Sequence, residues 1–204
     1  HVPETAREWA DHAPQESTCV VIDSYEASID DYRAAASASD CTVALDDTAR
    51  LPYPTTFVVN GGLGTSAHAY PAESGAQLLI GPRYQNVRRA FGEIRTSDSR
   101  EDDSRGTQGH GTSGEVLVLT GGTDPQGLGP GICRSLADAF DAGIVSVGAM
   151  QQGAPGTHLG TVGEARMAAV MKNATVAVSA AGQTLYELAL SGTPTVAFLA
   201  ADNQ

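Results

Sequence analysis

Short apolar runs alternate with polar, helix-like segments along the first part of the chain. The apolar runs 19–22, 41–45, 56–59 and 77–80 have the length of buried strands, and helical segments at 5–14 and 28–36 precede the first two. Turn signals, Asn60-Gly61-Gly62 and Gly81-Pro82, end the last two runs. Continuous apolar strands of this kind predict a parallel sheet that is covered on both faces.

The alternation restarts after a polar stretch. Residues 96–114 are almost entirely Ser, Asp, Arg, Gly and Thr, which is typical of a linker. Strands are then predicted at 116–119, 144–147, 175–178 and 195–199, and helices at 132–140, 164–171 and 184–190. The sequence therefore predicts an α/β protein with one domain at 1–95, a linker at 96–114 and a second domain at 115–204.

Composition and charge exclude several classes of protein. The chain carries 12 Lys and Arg against 24 Asp and Glu, and its formal charge of −12 repels nucleic acid and anionic membranes. It has no run of roughly 18 apolar residues that would span a membrane. The three cysteines are far apart in sequence, and the histidines lack metal-binding spacing. We expect a cytoplasmic monomer with no metal, no cofactor and no nucleic-acid partner.

The segment 180–187 lies between a predicted strand and a predicted helix. Gly182 permits a tight turn, and Thr184 and Glu187 have the spacing of a capping box, so one interpretation is a helix start and nothing more. The other is a phosphate site, because free amides at a helix N-terminus attract anions and Glu187 would accept hydrogen bonds from ribose. Loops at the carboxyl ends of parallel strands bind ligands in such sheets, which favours the second interpretation.

Gly121-Gly122-Thr123-Asp124 occupies an equivalent loop after the strand at 116–119. Its glycines would let the backbone approach a ligand closely. The alternative is an ordinary glycine turn in which Asp124 caps the next helix.

Three features of the first domain have ordinary structural explanations. The segment 62–67 matches G-x-G-x-x-A, but the residues after it lack helical periodicity, so we expect a loop. Asp46 and Asp47 are adjacent on an extended chain and point to opposite sides, so capping and turn roles are expected. Tyr25 follows the first strand, where it would either contact substrate or pack against the next helix.

The motifs taken in order resemble the PseG family of UDP-2,4-diacetamido-2,4,6-trideoxy-β-L-altropyranose hydrolases of pseudaminic acid biosynthesis, and the related spore-coat polysaccharide proteins. The resemblance covers nearly the whole chain. It is carried by seven segments, which are Val21-Ile22-Asp23-Ser24-Tyr25, Leu45-Asp46-Asp47-Thr48-Ala49-Arg50, Leu79-Ile80-Gly81-Pro82-Arg83-Tyr84 with Arg88 and Phe91, Gly121-Gly122-Thr123-Asp124, 167–171, 180–187 and Asn203-Gln204.

The resemblance implies a glycosyltransferase-B type architecture similar to that of MurG, with two Rossmann-like domains facing a cleft. It implies hydrolysis of the bond between sugar C1 and the UDP oxygen, with inversion at C1 and no metal. The residues implied to bind substrate are, on the UDP side, Gly121, Gly122, Thr123, Gly182, Gln183, Thr184 and Glu187, and, on the sugar side, Asn60, Asn203 and Gln204, with Tyr25 as an auxiliary catalytic residue.

One departure from the family pattern concerns the general base. The family's Gly-x-Gly-His loop follows the first strand of its N-terminal domain, and this sequence has no such segment; His110, in the linker, follows no strand and is not assigned that role. Since the chain begins at His1 and ends just after a strand, we expect a fragment that is incomplete at both ends. A UDP-sugar glycosyltransferase of the same architecture and a non-catalytic nucleotide-sugar binding module remain alternatives.

Overall fold

The structure, a computed structural model, describes residues 18–71, 75–98, 114–124, 126–148 and 153–200. Contacts between Cα atoms divide the chain into two compact units, His1–Asn86 and Val87–Gln204. Each unit is described below by itself.

The first unit contains a four-stranded parallel sheet. Its strands are β1 (Cys19–Asp23), β2 (Cys41–Leu45), β3 (Phe57–Asn60) and β4 (Gln77–Ile80), in the order β1-β2-β3-β4. Helix α1 (Ile29–Ala38) connects β1 to β2 and begins with a capping box, in which the Ser28 side chain accepts from the Asp31 amide and the Asp31 carboxylate accepts from the Ser28 amide. The four strands and this helix confirm the prediction, whereas the helix predicted at 5–14 lies outside the described residues.

The second unit contains a five-stranded parallel sheet. Its strands are β5 (Glu115–Leu119), β6 (Gly143–Val147), β7 (Thr157–His158), β8 (Val176–Ala180) and β9 (Thr195–Phe198). The order β7-β6-β5-β8-β9 places the first strand at the centre, the next two on one side and the last two on the other. This is the strand order of a Rossmann-like unit, and it reverses between β5 and β8. The predicted α/β fold with two parallel sheets is thus confirmed.

Among its described residues the second unit has four α-helices, which are α2 (Arg89–Asp98), α3 (Gly129–Ala139), α4 (Glu164–Asn173) and α5 (Thr184–Leu190). Helix α2 was not predicted, because its polar sequence shows little apolar periodicity. It is fixed by tertiary packing, since Phe91 is fully buried in a core with Leu117, Met171 and Leu188. Residues 87–98 therefore count with the second unit, whereas the sequence analysis ended the first domain at 95. Most of the predicted linker lies outside the described residues.

Candidate functional site

Two loops leave the same edge of the second unit's sheet, at the point where the strand order reverses. Strands β5 and β8 are parallel neighbours, with Leu119 in register with Ser179 near their carboxyl ends. The loop 120–128 follows β5 and the loop 181–183 follows β8. Ligands of open parallel sheets bind at this position, in the crevice outside the carboxyl ends of the strands.

The loop after β5 exposes backbone rather than side chains. Gly121, Gly122 and Thr123 are exposed, and Gly121 has φ +91°, in the left-handed region that favours glycine. A Cβ atom built on Gly122 would meet no atom within 4 Å among the described residues. The Gly121 carbonyl is approached closely by Gly148, where an added Cβ would lie 2.8 Å from that oxygen. The glycines therefore leave the peptide groups of this loop open to a ligand.

Asp124 closes the same loop by binding the start of helix α3. Its Oδ1 accepts from the Leu128 amide at 3.0 Å and its Oδ2 from the Gly129 amide at 2.9 Å. These bonds agree with the alternative interpretation, an ordinary turn in which Asp124 binds the start of the next helix, although the N-cap residue of α3 is Leu128. Since the Asp124 carboxylate already accepts from the Leu128 and Gly129 amides, the peptides of residues 121–123 are the part of this loop that could donate to a ligand.

The loop after β8 is a tight turn. The Gly182 amide donates to the Ala180 carbonyl at 2.8 Å, and the Ala181 amide donates to the Phe198 carbonyl of β9. For the amides of Gln183 and Thr184 no backbone acceptor is found within the part of the chain that the structure describes. These two amides at the start of helix α5 are the arrangement that the sequence predicts for an anion site.

The predicted capping box at this helix is wrong. Gln183, not Thr184, is the N-cap residue, it has αR dihedral angles, and no side chain caps it. The reason is that the Glu187 carboxylate is engaged elsewhere.

Glu187 forms a bidentate ion pair with Arg88. Arg88 Nε lies 2.6 Å from Glu187 Oε1, and Arg88 Nη2 lies 2.7 Å from Oε2. Glu187 is buried, with 8% of its surface exposed, while the Arg88 side chain is 40% exposed. The hydrogen bonds to Glu187 raise the pKa of Arg88. The two hydrogen bonds therefore hold the Glu187 carboxylate in place, and the remaining lone pairs of its oxygens can accept from further donors.

Arg88 lies 99 residues before Glu187, and local sequence patterns carry no signal for such a pairing. In the sequence, Arg88 stands out only as part of the segments that carry the family resemblance. Its function as the partner of Glu187 follows from the packing of α2 against α5 and not from any spacing rule.

Asp46 is the centre of a hydrogen-bonded cluster at the carboxyl end of β2 in the first unit. Its Oδ1 accepts from the Tyr53 hydroxyl at 2.6 Å, and its Oδ2 accepts from the Tyr70 hydroxyl at 2.5 Å and the Ala49 amide at 2.8 Å. Burial acts to raise the pKa of Asp46, but the hydrogen bonds outweigh burial, so that the pKa lies below its usual value. The turn role expected for Asp46 is confirmed. The hydrogen bonds from Tyr53 and Tyr70 also connect the Asp46 carboxylate to the core of the first unit.

Tyr25 and Asp47 form a separate, exposed pair. The Tyr25 hydroxyl donates to Asp47 Oδ2 at 2.5 Å, and Tyr25 is 64% exposed. This hydrogen bond, more than burial, raises the pKa of Tyr25 to about 12. The phenol is therefore protonated at neutral pH, where it serves as a hydrogen-bond donor and not as a base. Because Asp46 and Asp47 contact different tyrosines, they do not act as a carboxylate pair.

Asn60, at the end of β3, organises the loop that follows it. Its side-chain Nδ2 donates to the Tyr70 hydroxyl at 2.9 Å, and its Oδ1 accepts from the Gly62 amide at 2.9 Å and the Thr65 hydroxyl at 3.2 Å. It is 1% exposed. The segment 62–67 leads into a 3-10 turn at Ala67–Ala69 and into no α-helix, which confirms that it is a loop.

The remaining predicted residues fall elsewhere. Asn203, Gln204 and His110 lie outside the described residues. In the described ranges, no group of three or more His, Cys, Asp or Glu side chains is arranged to hold a metal ion. Of the helices that the structure describes, none has both the length and the apolar character needed to cross a membrane.

Comparison with known proteins gives no match to any protein-family model and none to the curated proteins.

Proposed function

We propose that the chain is a UDP-sugar hydrolase of glycosyltransferase-B type architecture. Its substrate would be a UDP-linked deoxy-diacetamido sugar, and the reaction would belong to pseudaminic acid or surface polysaccharide biosynthesis. The proposal rests on the resemblance to the PseG family. The observation that best supports it is the pair of loops, 121–124 and 181–184, on either side of the point where the strand order reverses.

The second unit is proposed to hold UDP. The peptides of Gly121, Gly122 and Thr123 and the open amides of Gln183 and Thr184 would donate hydrogen bonds to the diphosphate. Such donors suit a phosphate because they are backbone groups and need no basic side chain. They are therefore compatible with a chain whose formal charge is −12.

Glu187 is proposed to accept hydrogen bonds from the ribose hydroxyls. Its ion pair with Arg88 fixes its orientation before a ligand arrives, which lowers the entropic cost of binding. A ribose would have to use the lone pairs that Arg88 leaves free.

Tyr25 and Asn60 are proposed to belong to the part of the site that binds the sugar. As a protonated phenol, Tyr25 would donate to a sugar oxygen in exchange for its bond to Asp47. Asn60, being buried, would act by holding the loop 61–65 in place. The water that attacks C1 needs a general base, which the family draws from its Gly-x-Gly-His loop and which this sequence does not contain. Since general-base catalysis contributes typically 10²–10⁴-fold, we expect this chain to bind UDP-sugar but to hydrolyse it slowly.

A glycosyltransferase with the same donor is the second candidate, because the same loops would bind the same nucleotide. A nucleotide-sugar binding module without catalysis is the third.

The test is incubation of the chain with UDP-2,4-diacetamido-2,4,6-trideoxy-β-L-altropyranose and no acceptor. We expect slow release of UDP and free sugar, reduced further in Tyr25→Phe. Arg33→Gln is a matched surface control, because the Arg33 side chain is exposed and its ion pair within the described residues is to Asp30 of its own helix. Release that requires an added acceptor would identify a transferase, and binding without any release would leave the binding module.

A further inference from the structure

Two cysteines that are far apart in sequence are direct neighbours in the first unit's sheet. Strands β1 and β2 are parallel, and Cys19 is the register partner of Cys41. Adjacent strands lie about 4.8 Å apart, which is inside the Cα separation that a disulfide requires, about 4.4–6.8 Å. Residues in register on parallel strands project to the same face of the sheet, so both thiols lie on one side.

The backbone around the pair is held tightly. The amides of Asp40 and Cys41 both donate to the Thr18 carbonyl, at 3.1 and 3.2 Å, and the Thr18 amide donates to Asp40 Oδ2 at 2.9 Å. These bonds join the starts of the two strands immediately beside the cysteines. The two Cα atoms are therefore placed for a covalent link without a rearrangement of the sheet.

The thiols already interact in the reduced state. A hydrogen bond with Cys41 is the largest cause that raises the pKa of Cys19. Cys19 is exposed and Cys41 is partly exposed, whereas Cys133 is fully buried in the second unit. A small molecule in solution therefore has access to Cys19 first.

We propose that Cys19 and Cys41 form a reversible dithiol–disulfide pair that reacts with low-molecular-weight disulfides. The Cys19 thiolate attacks one sulfur of the small disulfide, which forms a mixed disulfide and releases one small thiol. The Cys41 thiolate then attacks the Cys19 sulfur, forms the Cys19–Cys41 bond and releases the second small thiol. The two protein thiols lose two protons and two electrons, which reduce the small disulfide to two thiols.

The link would close residues 19–41, which contain β1 and α1, into one covalent loop. A cross-link of this kind restricts the unfolded chain, so the oxidised protein is more resistant to unfolding than the reduced protein. The pair lies where β1 and β2 begin, whereas Tyr25 and Asp46 follow the opposite ends of these strands. The proposal is therefore independent of the proposed hydrolase activity.

The test is oxidation of the reduced, full chain with oxidised glutathione, followed by trypsin digestion without reductant. Trypsin cleaves after Arg7, Arg33 and Arg50, which separates Cys19 in peptide 8–33 from Cys41 in peptide 34–50. We expect these two peptides to be joined in a species of monomeric size, with an increase in melting temperature that a reductant abolishes. Cys133→Ala should behave as the wild type.

Cys19→Ser and Cys41→Ser are the matched variants, and each should lose both the joined peptides and the temperature shift. Four outcomes would overturn the proposal. They are glutathione that stays on Cys19 without a link, a link that involves Cys133, joined peptides found only in a dimer, and no reaction at either thiol.

Discussion

Three buried tyrosines in the first unit differ in what their hydroxyl groups contact. Tyr53 and Tyr70 each donate to the Asp46 carboxylate, at 2.6 and 2.5 Å. The Tyr32 hydroxyl is fully buried and makes no hydrogen bond of normal geometry within the described residues, while the nearby Arg50 side chain opposes the rise in the pKa of Tyr32 that burial causes. The rings of Tyr32 and Tyr53 pack edge to face, with centroids 5.1 Å apart. Substitution by Phe keeps this packing and removes only the hydroxyl, so the series isolates the hydrogen bonds.

The expected effects differ in sign. Tyr53→Phe removes a hydrogen bond to a charged group, which contributes about 1.5–3 kcal/mol, so we expect the free energy of unfolding to fall by about 2 kcal/mol. Tyr32→Phe removes a buried hydroxyl whose desolvation is not offset by a hydrogen bond of normal geometry. Since an unsatisfied buried group costs about 1–3 kcal/mol, we expect no loss of stability and a gain of up to about 1 kcal/mol.

Urea unfolding followed by far-ultraviolet circular dichroism measures both effects. With a slope of about 1–3 kcal/mol per M, a loss of about 2 kcal/mol lowers the midpoint by about 0.7–2 M. Tyr53→Phe should show this shift, and Tyr32→Phe should unfold at the wild-type midpoint or above. If Tyr32→Phe is as destabilised as Tyr53→Phe, its hydroxyl has a partner and the reasoning is wrong.

Three further predictions follow from single contacts. Arg88→Ala leaves the buried Glu187 carboxylate without its partner, so we expect the free energy of unfolding to fall by about 1–3 kcal/mol. The double variant Arg88→Ala/Glu187→Leu should recover part of this loss, and thermal unfolding measures both variants. Because hydrogen bonds lower the pKa of Asp46, this carboxylate contributes stability above the pKa of an unfolded Asp, about 4, and the contribution is lost as the pH falls below that value. The difference in urea midpoint between wild type and Asp46→Asn should therefore be smaller at about pH 3 than at about pH 6. Gly148→Ala should lower the melting temperature more than Gly153→Ala, since both have positive φ but only the Cβ at 148 would meet a neighbouring carbonyl.

The strands and most helices follow from the sequence because their signals are local. The apolar runs 19–22, 41–45, 56–59 and 77–80, the last two ended by glycine turns, are sufficient to place strands, and four strands of each sheet were predicted from such runs. Two elements were missed. Strand β7 has only two residues, and helix α2 depends on the burial of Phe91 against the rest of the second unit.

The site was predictable only in part. The loops at 121–124 and 181–184 follow from strand ends and glycines, but the partners of the site's carboxylates do not. Glu187 is paired with Arg88 across 99 residues, and Asp46 with Tyr70 across 24. Such pairs are set by the packing of elements, which no periodicity encodes. The same applies to Cys19 and Cys41, whose contact depends on the register of β1 and β2.

The central claim is that the loop after β5 approaches a nucleotide diphosphate, and calorimetric titration of the folded chain with UDP tests it most directly. Gly122→Ala is the informative variant, because its Cβ meets no described atom in the free protein but would stand between the peptide and a phosphate. Gly92→Ala, on the exposed side of helix α2, is the matched control, since its Cβ is equally unobstructed. We predict saturable binding that Gly122→Ala weakens at least tenfold, about 1.4 kcal/mol, and that Gly92→Ala leaves unchanged. No binding by the folded wild type, or equal binding by Gly122→Ala, would contradict the account.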